Sequence, residues 1–140
     1  MMIDLALAQR LKQAGLQWWP TERDFFAIPG HQMDSQIFVV SELTALVQLI
    51  NGQPAITFHG TSEWALDFVL LVDTLWLPSE SQLREAIMFL LGPHAPLRLE
   101  RAGAGYRCVI AQGERTRDFA ASGAEDAYAE ALISLLEMQG

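Results

Sequence analysis

Between residues 97 and 120 the chain reverses direction twice, and the space allowed for each reversal is what most restricts its fold. Three short segments, LRLER, GYRCVI and ERTRDFA, read as strands. They are joined by turns at Gly103–Gly105 and at Gln112-Gly113. Connections this short cannot carry a chain back for parallel pairing, so the three strands must run antiparallel. A helix is expected on either side. Ser79 and Gln82 have capping-box spacing ahead of a stripe of Leu83, Ile87, Leu90 and Leu91, and Gly92-Pro93 stops it. Ser122 and Glu125 repeat the box before Ala124, Ala127, Tyr128, Ala131, Leu132 and Leu135. The C-terminal part therefore reads α-β-β-β-α.

The first part mixes periods. Asp4 is placed to cap a helix running to about Ala14, with Gly15 as its stop. DFFAIP and QIFVV read as strands separated by the polar loop HQMDSQ, and PAITFHG and TLWL read as two more. Leu43, Leu46, Val47 and Ile50 have helical spacing, so Ser41–Ile50 is expected to be a short helix ended by Asn51-Gly52. Trp64, Ala65, Phe68, Leu71 and Val72 suggest another, opening at Thr61 or Ser62. No repeat or linker appears, and the order lacks the rhythm of a parallel sheet. The expectation is one α+β domain over residues 1–140, with a mainly antiparallel sheet and helices packed on it.

Charge narrows the function classes. The chain carries a net charge of -8 and a single lysine, Lys12, which argues against general binding to nucleic acid or to an anionic membrane. The most apolar stretch, WALDFVLLVDTLWLP, is interrupted by Asp67 and Asp73 and is too short to span a bilayer. The N-terminal residues lack the pattern of a signal peptide, and the lone Cys108 cannot form an internal disulfide, so a cytoplasmic protein is expected. The α-β-β-β-α order is that of a double-stranded-RNA-binding domain. That family meets phosphate with lysines at the start of its last helix, where this chain has GAEDA, so RNA is not the expected partner.

Candidate chemistry is sparse. Gly103-Ala104-Gly105 lies between two strands and reads as a turn, not a phosphate loop. Cys108 shares a strand face with Tyr106 and Ile110 and reads as core. His59, Glu63 and Asp67 are the best polar constellation, since Glu63 and Asp67 fall on one helix face with His59 leading into it. The bland alternative is a solvated acidic face behind a loop histidine. No HExxH, CxxC or GxSxG pattern supports a metal, a cofactor or a hydrolase triad, so none is expected. Arg98, Arg101, Arg107, Arg115 and Arg117 make the three-strand region locally basic. They fit either cross-strand ion pairs or a face for an anion or an acidic partner. If Phe119 faces the core, Arg115 and Arg117 face it too unless a bulge intervenes.

The stretch GLQWWPTERDFFAIPG places Trp18, Trp19, Phe25 and Phe26 in one corner. Pro20 forces Trp19 to be extended, so the two indoles point to opposite sides, and the two phenylalanines repeat the split. One ring of each pair can seal the core, and the other can contribute to an interaction surface.

The blocks GLQWWP, EWALDF, LWLPSESQLR and GYRC with the last helix resemble a family of short bacterial proteins of uncharacterised activity. Some members bear a pilus-assembly label, although this chain has no Walker motif, and the resemblance brings no catalytic residue with it. The functional expectation is a non-enzymatic cytoplasmic interaction module that self-associates through an aromatic or sheet-edge surface. A basic protein partner, as in a toxin–immunity pair, fits the net charge. The alternative is a small ligand-binding protein or enzyme with a polar site at His59, Glu63 and Asp67.

Overall fold

A computed structural model of the chain describes residues 2–30, 33–41, 45–58 and 68–139. It shows an α+β fold with three helices and three antiparallel three-stranded sheets among these residues. The backbone separates into two compact units, one formed by Met1–Gln17 with Pro78–Gly140 and the other by Trp18–Leu77.

In the first unit, helix α1 (Leu5–Gln13) begins at Asp4, whose side chain makes no capping bond. Instead the Asp4 amide donates to Oδ1 of Asp126 at 2.8 Å. Gly15 ends the helix with φ +107, a conformation that favours glycine. Helix α2 (Glu80–Leu91) carries the full capping box: the Gln82 amide donates to Ser79 Oγ, and the Ser79 amide donates to Gln82 Oε1.

Strands β7 (Leu97–Ala102), β8 (Gly105–Gln112) and β9 (Arg115–Ala121) form the expected meander. Its hairpin loops are Gly103-Ala104 and Gly113-Glu114, each opening on a glycine with φ near +60. Helix α3 (Ala124–Gln139) starts one residue later than the Ser122 capping box implies, since its first helical bond runs from the Ala127 amide to the Gly123 carbonyl. It contacts α1, α2, β8 and β9, which is why its apolar residues are buried around most of its circumference.

The second unit departs from expectation. Its first sheet has the order β2-β1-β6, from β1 (Phe25–Ile28), β2 (Met33–Val39) and β6 (Leu75–Leu77). Its second has the order β3-β4-β5, from β3 (Ala45–Ile50), β4 (Gln53–Phe58) and β5 (Phe68–Leu70). The helix expected over Ser41–Ile50 is thus a strand over Ala45–Ile50. Asn51 and Gly52, with φ +51 and +81, are a two-residue hairpin loop and not a helix stop. Both central residues have positive φ, the signature of the turn whose twist matches two strands. The end of the second expected helix is also extended. Phe68–Leu70 pairs with β4, and Leu71–Asp73 is a single 3-10 turn; residues 61–67 lie outside the described residues. A short continuous apolar run such as FVLLV suits a strand as well as a helix, and for Phe68–Leu70 pairing with β4 decides it. Both sheets contribute to one core: Phe26, Ile28, Phe38 and Val40 from the first sheet and its flank, Ile56 and Val69 from the second.

Candidate functional site

The aromatic corner divides its four rings between core and surface. Trp18 packs on the second unit's core, with its ring 5.5 Å from Phe26 and stacked 6.3 Å from Trp76. Its indole N–H donates to Oδ2 of Asp24 at 2.9 Å. The same oxygen accepts from the Thr21 amide at 3.0 Å, and Asp24 is only 6% exposed. The backbone of Asp24 is tied down as well, because its carbonyl accepts from the Val40 amide at 2.9 Å. Phe26 is fully buried. Trp19 and Phe25 point outward, at 77% and 42% exposure. Only these two of the four rings are placed to meet anything outside the chain.

His59, Glu63 and Asp67 all lie outside the described residues, so the expected polar constellation has no geometry to report. Among the described residues no group of three or more His, Cys, Asp or Glu side chains is placed to hold a metal, and no helix is long and apolar enough to cross a membrane. Cys108 is fully buried, between Leu99 and Phe119 on the neighbouring strands. Burial pushes its thiol up to about 11, away from nucleophilic use near neutral pH.

The arginines of the meander fall into two groups. On one sheet face Arg107 lies 3.3 Å from Glu100 and 3.7 Å from Asp118, and Arg98 lies 3.3 Å from the other oxygen of Glu100. The two Arg107 contacts are cross-strand ion pairs, and the Arg98–Glu100 contact runs along β7. On the opposite face, β8 and β9 pair without a register shift from Tyr106↔Ala121 to Gln112↔Arg115, so no bulge turns Arg115 and Arg117 away from the Phe119 side. Arg117 is accommodated there because its guanidinium lies 5.2 Å over the Phe119 ring and donates to Ser134 Oγ and Met138 Sδ on α3.

The feature that the sequence reading missed is the outer edge of β3. Val47 pairs with Ile56, so it sits on the core side of its sheet, as does Leu49; yet Val47 is 42% and Leu49 71% exposed. Among the described residues nothing pairs the outer edge of this strand. Most other edges are blunted in recognisable ways: β7 carries Arg98, Glu100 and Arg101, β9 carries Arg115, Arg117 and Asp118, β5 and β6 are three residues long, and β2, which exposes Ile37 and Val39, has Asp34 in its sequence. The β3 sequence ALVQLI has six residues with no charge and no proline. The signal that could have found it is Asn51-Gly52 between two apolar runs, the strongest short-range mark of a hairpin.

No protein-family model matches the chain, and neither does any curated protein or solved structure.

Proposed function

We propose that this chain is a protein-interaction module that self-associates by antiparallel pairing of β3 with β3 of a second copy. The reading rests on one observation, the uncharged β3 edge with its exposed core-side residues Val47 and Leu49. A two-fold interface requires a surface complementary to itself. An antiparallel pair of ALVQLI strands meets that requirement, since no side chain in it opposes a like charge. The two copies of Val47 and Leu49 then extend one apolar face across the joined sheets, and the main-chain groups of the edge acquire partners.

The aromatic corner plays a lesser part in this reading. Trp19 offers a single ring and Phe25 a ring beside its cross-strand partner Val39, whereas β3 offers an uncharged row of main-chain donors and acceptors with apolar side chains above it.

Sedimentation velocity over a range of concentrations tests the proposal with Leu49→Lys beside Phe89→Lys, a control at an 87% exposed position on α2. Each substitution makes the acidic chain less negative by one charge, so neither weakens association by general repulsion. Dimerisation lost in Leu49→Lys and retained in Phe89→Lys supports β3 pairing. A wild-type chain that stays monomeric at all concentrations, or two variants that behave alike, overturns it.

A further inference from the structure

On the Phe119 side of the meander Arg115 and Arg117 carry positive charge that no ion pair among the described residues neutralises. Gln112 and Arg115 face each other across β8 and β9, and Arg117 lies two residues along on the same face. With Met138 of α3, these side chains line an open depression of about 410 Å³. All the partners of the Arg117 guanidinium given above are neutral: a hydroxyl, a thioether and an aromatic ring. Arg115 makes no ion pair among the described residues. Glu114, beside Arg115 in the hairpin loop, makes no ion pair with it among the described residues, and two further acidic residues are turned elsewhere. Asp118 faces Arg107 on the other side of the sheet, and Glu137 lines a separate depression with Arg10.

We infer that Gln112, Arg115 and Arg117 form a binding site for a small oxyanion bearing at least two negative charges. Guanidinium groups match the paired oxygens of carboxylate and phosphate in a way that a point charge does not. Arg117 is held in place before the ligand arrives, which lowers the ordering cost of binding. Arg115 is exposed and free to close on the second oxygen pair, and the Gln112 amide adds a neutral donor. Met138 forms the apolar wall of the depression and limits the hydration of an anion seated there. The site lies within the first unit, on strands other than β3, so it is independent of the proposed self-association.

Calorimetric titration with inorganic phosphate and, separately, with malonate tests the site at matched ionic strength against sodium chloride. The expected result is saturable binding of one anion per chain, weakened about tenfold or more by Arg115→Gln, the loss expected for a charge-assisted contact. Arg115 is exposed, so this variant keeps the fold, and circular dichroism verifies that it does. Saturation by phosphate alone assigns the site to phosphate-type ligands, and saturation by malonate assigns it to dicarboxylates. If neither anion saturates, or if Arg115→Gln binds as tightly as the wild type, the inference is overturned.

Discussion

The indole of Trp18 donates its N–H to Asp24 at 2.9 Å, and this one bond joins the aromatic corner to the strand that follows it. Asp24 closes the Thr21–Asp24 turn with the same oxygen and hands the chain into β1. The corner is thus a structural joint with two rings, Trp19 and Phe25, left facing outward.

Removing either partner of that bond strands the other. Asp24→Ala leaves the indole N–H and the Thr21 amide without their acceptor, and is expected to cost about 2 kcal/mol or more. Trp18→Phe keeps most of the ring packing but strips a donor from a buried carboxylate, at a cost of about 1–3 kcal/mol. Trp19→Ala, at the exposed indole, is expected to stay within about 0.5 kcal/mol of wild type. Urea unfolding of the three variants checks the order. Equal losses at Trp18 and Trp19 would contradict the split.

Leu49→Lys separates folding from association. The side chain is exposed in the single chain, so monomer stability is expected to change by less than about 0.5 kcal/mol. Self-association is expected to weaken by about tenfold or more, because a lysine on an edge strand opposes strand addition. Unfolding measured at low protein concentration, beside the sedimentation experiment, reads the two effects apart.

Gly105 is needed for space. A Cβ there would run into the backbone carbonyl of Ala121 on β9, and a backbone atom cannot rotate away as a side chain can. Gly105→Ala is expected to destabilise the meander by about 1–3 kcal/mol, as overpacking does. Gly113→Ala makes a useful comparison. Its Cβ meets nothing, and its cost comes only from the positive φ of +61. Thermal unfolding of both variants distinguishes crowding from backbone strain.

Cys108 gives the chain an alkaline limit. Burial raises its thiol from 9.0 to about 11 in the folded state, so the folded chain holds this proton at a pH where the unfolded chain has released it. The resulting stability is complete below about pH 9 and is lost as pH rises towards 11. Unfolding measured across that window should show a falling stability whose slope is reduced in Cys108→Ala. In the native state at pH 8 the thiol should resist a disulfide reagent until the chain is unfolded.

The elements legible in the sequence are those whose determinants lie within a few residues of one another. The Ser79–Gln82 box, the Gly15 stop and the glycines at 103 and 113 each settle a local backbone choice through a hydrogen bond or a φ value available to few other residues. The Ser41–Ile50 segment was not legible by periodicity, because Leu46, Val47 and Ile50 have helical spacing while Val47 and Leu49 have strand spacing in the same short run. Asn51-Gly52 held the answer locally, but choosing hairpin over helix stop required the partner strand β4.

The amino-acid sequence by itself determined that the two indoles must part, that the C-terminal strands must run antiparallel, and that the α3 segment must be helical. Each follows from short-range sterics and hydrogen bonding. Only the tertiary structure decided which indole packs on the core, which arginines find carboxylates and which strand edges lack a partner among the described residues. Those outcomes depend on pairing between residues distant along the chain, where register and the neighbouring sheet set the environment of a side chain whose own chemistry is compatible with either answer.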